Sequence, residues 1–405
     1  MVFYKFMNNK KVRILYHVAA SEIGGSVFSF YELLKNIDKE RYKPLILITK
    51  NECQQFVDDI NKLGIDIIYE NIRINTWIKD ISNSNINFKF IIKFKAIGRF
   101  IRHFSNAYKI ARIIKNNKID IVHTNDENLI DAALGAFFSG SKHVWHIRAR
   151  IGKDGLLTHF LGTVFVLKVI NLLSDRIIVN SKSTFKPWEK ERITKNILLI
   201  YNGVNVEKFK NGIGSLRQEY GLPNDSRVVA MISTIPFFDG LNYFIDAAGI
   251  ASAQNSNVYF FMIGKTNTCS VEYLKIQEEK INNLGLRDRF FFTGFRTDIP
   301  NILADINILI EPMQNGAWSR VILESMAAGV PVIGVEEDKI SDFIENDETG
   351  VLVSKQNEIG LALIELLNDK DKIKNISENS TKKVVENFSS KIYAKKIMSL
   401  YNDLQ

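Results

Sequence analysis

Short apolar runs alternate with longer stretches whose apolar positions recur every three or four residues, almost from end to end of the chain. That rhythm predicts βα units and parallel sheets. A strand covered on both faces reads as an unbroken apolar run, and its crossover helix as an amphipathic one. In the first half the strand-like runs are Val12–Val18, Pro44–Ile48, Ile65–Tyr69, Ile119–His123, Val144–Ile147, Ile177–Val179 and Ile197–Ile200. Helical patterns such as Ser26–Ile37 and Asp126–Phe138 lie between them. The rhythm stops over Val206–Ser226 at Gly212, Gly214, Gly221 and Pro223, which predicts an interdomain connection. A second series follows, Val228–Ile232, Val258–Ile263, Phe290–Thr293, Ile306–Ile310, Val332–Val335 and Val351–Val353, with helices over Val271–Leu284 and Val321–Ala328. The expected class is α/β, two doubly wound parallel sheets, with ligands beyond the carboxyl ends of the strands and the cleft between the halves as the default site.

Charge changes the picture more than composition does. With 46% hydrophobic and 24% charged residues over 405 positions, the chain is an ordinary globular protein too long for one core, which excludes disorder and fibres. The net charge of +8 is uneven: between Asp80 and Asp120 stand nine Lys or Arg and no acidic residue. Such a block implies an anionic partner, whether membrane surface, nucleic acid or phosphorylated substrate. Lys93–Lys118 reads as an amphipathic helix, with Ile97, Ile101, Phe104, Tyr108 and Ala111 as its apolar stripe and Arg99, Arg102, Lys109, Arg112 and Lys115 supplying charge. That pattern suits a helix on the flank of a sheet, and equally one docked on anionic lipid.

Cys53 and Cys269 leave a single disulfide open but imply no framework, and they fit a reducing compartment. The polar, basic Met1–Lys11 has no apolar core with a cleavage site, so no signal peptide is read. Phe160–Leu173, interrupted by Lys168 and Asn171, falls short of the roughly 20 apolar residues of a membrane span and reads as a helix buried against a sheet. The expected location is the cytoplasm, including the inner face of the plasma membrane. No metal-ligand cluster is read, and Asp369-Lys370-Asp371 is taken as solvated surface.

The most informative segment is Ser319-Arg320-Val321-Ile322-Leu323-Glu324-Ser325-Met326-Ala327-Ala328-Gly329-Val330-Pro331-Val332-Ile333. Ser319 can cap a helix whose free N–H groups point at an anion, and Glu324 lies one turn further in, where a carboxylate can accept both hydroxyls of a ribose. Gly329 ends the helix and Pro331 opens a strand. This run resembles the family-4 glycosyltransferase pattern of Glu, Ala-Met-Ala, Gly and Pro-Val. Tyr201-Asn202-Gly203-Val204-Asn205 with Phe209, Leu284–Arg289, Thr293-Gly294-Phe295-Arg296 and Asp347–Val353 are similar to further family motifs in the expected order. Gly24-Gly25 resembles the family's glycine-rich loop after the first strand, and Trp145-His146-Ile147-Arg148 its acceptor-side strand end.

The resemblance implies a GT-B architecture: a Rossmann-like acceptor domain over residues 1–200, a Rossmann-like nucleotide-sugar domain over 201–380, and a terminal helix over 381–405 returning to the first. It implies a retaining, metal-independent hexosyltransferase that needs no cofactor, taking a nucleotide-sugar donor to a glycan or lipid-linked acceptor in polysaccharide biosynthesis. It casts His146 as the catalytic-site residue, and Gly24, Gly25, Thr234, Lys265, Arg296, Ser319, Arg320, Val321 and Glu324 as donor-binding positions. No nucleic-acid partner is expected. The pattern departs at three donor contacts, where Gly316 replaces a Glu, Thr234 an Arg and Asp239 a Lys. Arg320, at the start of the donor helix, and Lys265, after the strand ending in Gly264, are the candidates to substitute for the missing cations. The rival reading is a catalytically silent GT-B module that binds glycan or supports an active partner.

Overall fold

All thirteen apolar runs become strands: β1 (Val12–His17), β2 (Tyr42–Ile48), β3 (Asp66–Tyr69), β4 (Ile121–Thr124), β5 (Lys142–Ile147), β6 (Arg176–Val179), β7 (Ile197–Leu199), β8 (Arg227–Ile232), β9 (Val258–Ile263), β10 (Phe290–Gly294), β11 (Ile308–Glu311), β12 (Val332–Val335) and β13 (Val351–Val353). The computed structural model describes residues 10–19, 24–49, 53–72, 88–152, 162–233, 239–265, 270–312, 320–336 and 340–405, with side chains at 88–101 and 239 excepted. Seven strands form one sheet in the order β3-β2-β1-β4-β5-β6-β7, and six form another in the order β10-β9-β8-β11-β12-β13. Every pairing is parallel. In each sheet the winding reverses once, between β1 and β4 and between β8 and β11. Those two switch points open a crevice at the carboxyl edge.

The chain divides into two compact units, Met1–Gly203 with Tyr393–Gln405, and Val204–Ile392. The first unit thus runs to Gly203, and the chain returns to it at Tyr393. The stretch over 206–226 is not a free connection. It folds into the short helices Val206–Lys210 and Leu216–Glu219 inside the second unit, where the Arg217 guanidinium donates to Pro223 and Ser226 and pairs with Asp305. The terminal stretch is two helices, Lys370–Asn387 and Ser390–Asn402, and only from Tyr393 onward does it belong to the first unit. Asp369 caps the first of them by accepting the Lys372 N–H.

In the first unit, Tyr393, Ala394, Ile397, Leu400 and Tyr401 of the last helix are buried against Ile14, Tyr16, Phe30 and Ile46. Each large apolar side chain buried there stabilises by about 1.5–3 kcal/mol. On the second sheet, Phe244, Ile245 and Ala248 of the helix Asp239–Gln254 pack over Val229, Phe260 and Met262.

The long basic helix spans Phe88–Asn116. Its buried stripe is Ala107, Ile110, Ala111 and Ile114, not the one the large residues predict, because Phe104 and Tyr108 are exposed. The reason is Gly135 on the helix Ile130–Ser139: a Cβ there would meet Ile110 Cγ2 at 2.8 Å and the Ala107 carbonyl at 3.2 Å. Small residues let the two backbones close, and the rings turn outward. Ile97 and Ile101 lie outside the described side chains. The Phe160–Leu173 pattern is a helix over Thr163–Leu172 that buries Val166, Leu167 and Ile170. Among the described residues no helix is long and apolar enough to cross a membrane.

Candidate functional site

In the second unit the crevice lies beyond β8 and β11. The helix Arg320–Ala327 lies in sequence between the parallel strands β11 and β12, so its first turn faces the carboxyl edge and Glu324 stands one turn in. Glu324 is buried, and burial raises its pKa against the opposing pull of Arg320 and Lys208. Its Oε1 accepts from Arg320 Nη2 at 2.5 Å. Gly329 ends the helix in the left-handed region at φ 75°, where a Cβ would also meet Ser377 Oγ at 2.8 Å. The last turn is closed by Val330 N–H to Ser325 O and by Thr381 Oγ1 to Met326 O. Val321 is half-buried on the second position of this helix.

Lys265 follows β9 at the same edge, exposed, with Nζ 5.1 Å from the Phe295 ring centre. Arg296 is different. Its guanidinium donates to both oxygens of Asp298 and both of Glu219, and these carboxylates hold its proton more tightly than usual. It follows β10, the edge strand two places from the switch point. In this structure the Arg296 side chain ties the residues after β10 to the helix Leu216–Glu219. Ser319, Thr234 and Gly316 lie outside the described residues, as does the Asp239 side chain. Lys208, which sequence reasoning missed, comes within electrostatic reach of Glu324 only through the fold.

In the first unit the crevice lies beyond β1 and β4. Gly24 precedes the helix Gly25–Asn36 with φ −119°, an extended conformation open to any residue. Among the described residues nothing lies within 4 Å of a Cβ at that position, so the space beside it is open. The helix start carries no side-chain cap among the described residues.

His146, the expected catalytic-site residue, is fully buried. Its Nδ1 lies 3.3 Å from His123 Nε2, while His123 Nδ1 reaches the Tyr401 hydroxyl at 2.6 Å. Burial drives the pKa of both imidazoles well down, and the Arg148 charge adds to it. Arg148, half-buried just past the end of β5, is two residues on and therefore on the same strand face. It donates to Asn125 Oδ1 and Asn202 Oδ1, each at 2.5 Å, and to the Tyr393 hydroxyl at 3.4 Å. Glu127, also missed, accepts the Arg148 and Ala149 backbone N–H groups at 3.0 and 3.2 Å. Burial, with Asp126 beside it, pushes Glu127 up to about 8. Strand alternation from His146 is the signal in the sequence that could have found Arg148; for Glu127 there is none. A hollow of about 450 Å³ lined by Lys10, Asp120 and Lys142 lies at the opposite, amino edge and holds none of these groups.

Two family models match. "Glycosyl transferases group 1" covers residues 213–383, and "Glycosyltransferase Family 4" covers residues 23–208. The chain is 25% identical over 312 residues to the N-acetyl-alpha-D-glucosaminyl L-malate synthase of Bacillus anthracis, spanning 74% of this chain and 78% of that one. It is 25% identical over 323 residues to the UDP-Gal:alpha-D-GlcNAc-diphosphoundecaprenol alpha-1,3-galactosyltransferase of Escherichia coli, 75% of this chain and 80% of that one. Among solved structures it resembles Anabaena Alr3699/HepE in complex with UDP, at TM-score 0.76 and 19% identity over 97% of this chain and all (100%) of that one.

Proposed function

Because this chain belongs to the family-4 glycosyltransferases of the GT-B fold, we propose that it transfers a hexosyl group from a nucleoside diphosphate sugar to a glycan or lipid-linked acceptor, with retention of configuration. The family relation carries glycosyl transfer in polysaccharide and glycolipid synthesis; donor, acceptor and stereochemistry are our reading. The bond from the anomeric carbon to the leaving phosphate breaks, one from an acceptor oxygen forms on the same face, and the acceptor proton leaves with the diphosphate. No protein nucleophile is assigned, and the sugar nucleotide is a substrate rather than a cofactor.

Glu324 is the observation that supports this most. A buried carboxylate one turn inside a helix that starts at the switch point is suited to two ribose hydroxyls, with the diphosphate at the helix start. Arg320 and Lys265 supply the positive charge that Thr234 and Asp239 do not, so leaving-group stabilisation falls to them and to the helix N–H groups. The relatives' names and the UDP complex make a uridine donor the first to test.

Thermal shift with UDP, GDP and ADP is the direct test. One nucleotide at about a hundred times its Kd should raise stability by about 2.7 kcal/mol. Glu324→Ala should weaken that nucleotide about tenfold to a hundredfold, the scale of hydrogen bonds to a charged group, while the protein stays folded. No stabilisation by any of the three would favour the silent module instead.

A further inference from the structure

Four aromatic rings form one exposed patch on the first unit. Phe104 and Tyr108 are 40% and 64% exposed on the helix Phe88–Asn116, and Phe137 and Phe138 are 64% and 40% exposed at the end of the helix Ile130–Ser139. The Phe104 and Phe138 rings lie 5.9 Å apart, and Phe137 and Phe138 lie 6.1 Å apart. Exposed apolar residues scattered singly need no explanation, but a contiguous patch does.

The charge beside the rings says which partner fits. Phe104, Tyr108, Arg112 and Lys115 follow one another at helical spacing and make one row, with Arg112 and Lys115 exposed. From residue 81 to residue 119 the sequence has no Asp or Glu. Aromatic rings bordered by cations, on a helix long enough to lie flat, match the headgroup layer of an anionic bilayer.

The helix also has the right direction. His103 bonds Asp131 in the first turn of the neighbouring helix, and that turn directly follows the carboxyl edge of β4. The backbone of residues 88–102 therefore continues past that edge by about 22 Å at 1.5 Å per residue. Along it the sequence places Lys89, Lys93, Lys95, Arg99 and Arg102.

We infer that this helix pair is a docking surface for anionic lipid: Phe104, Tyr108, Phe137 and Phe138 enter the interface, and Arg112 and Lys115 meet the headgroups. A chain so docked has the carboxyl edge of its first sheet alongside the bilayer, where a lipid-linked acceptor would be met. That purpose rests on the proposed function; the surface does not.

Flotation of the full chain with phosphatidylcholine vesicles, with and without phosphatidylglycerol, tests it. The chain should float with the anionic vesicles at low salt and not with the neutral ones. The double variant Arg112→Ser/Lys115→Ser should weaken binding about 25-fold, near fivefold for each charge. Phe137→Ser/Phe138→Ser should weaken it at least tenfold. UDP thermal shift, read on the same variants, should not move, which separates a failed docking surface from a failed donor assignment. Three results would overturn the inference: no flotation with anionic vesicles, flotation indifferent to the two Phe substitutions, or a dimer that those substitutions abolish in a chain that does not float.

Discussion

The two crevices share a topology and differ in how their polar groups are held. In the first unit Arg148 reaches the residue after β4, Asn202 and the last helix, Glu127 grips the chain after β5, and a line of Tyr16, Tyr401, His123 and His146 runs beneath. In the second, Glu324 is held by an arginine four residues away on the same helix. A network spread over several strands cannot yield to a ligand without disturbing the sheet edge. A pair within one helix can exchange partners while every strand stays in place. The same fold thus provides a stiff floor in one unit and an exchangeable pair in the other.

Changing the first crevice should therefore show up as stability, and Glu127 should give the largest effect. Its pKa, raised from 4.5 to about 8, means the folded chain keeps a proton that the unfolded chain loses. Its stabilising contribution is full below pH 4.5 and is lost as pH rises through about 8. At 1.36 kcal/mol per unit the loss is on the order of a few kcal/mol. Glu127→Gln should flatten this pH dependence, as checked by urea unfolding of both proteins at pH 5 and pH 9. Parallel curves for the two would break the assignment.

Tyr401→Phe should come next. It removes a hydroxyl shared by Tyr16 and His123, both fully buried, so one or both are left without that partner. An unsatisfied buried group costs about 1–3 kcal/mol. Melting temperature should fall accordingly, while nucleotide affinity in the second unit stays at the unsubstituted value. A loss of nucleotide binding without a loss of stability would erase the contrast between the two crevices.

The strands were legible because a parallel strand covered on both faces must be an apolar run, and all thirteen were. Side-chain roles were less so where packing depends on small residues or on alternation. Residue size marks Phe104 and Tyr108 as core on the basic helix, yet Gly135 and Ala107 decide the approach and turn the rings out. At the end of β5, a histidine drew the functional reading, and the next residue on that face, Arg148, bonds Asn125 and Asn202. Glu127 lies in an unremarkable Asn-Asp-Glu-Asn run, and only the folding back of β5 gives its carboxylate two N–H donors.

Arg296 offers the smallest effect and a sharp control on the second crevice. Motif order alone assigns it to the donor, but its guanidinium is shared between Glu219 and Asp298, both substantially exposed. Solvent screens such pairs, so Arg296→Gln should cost no more than about 1 kcal/mol of stability. The two carboxylates would lose a partner, but nothing at the β8–β11 switch point would change. Nucleotide affinity measured by titration should therefore match the unsubstituted chain, in contrast to Glu324→Ala. A tenfold loss of affinity in Arg296→Gln would mean that the guanidinium leaves both carboxylates for the phosphates, and exchangeable pairing would then extend beyond the one helix.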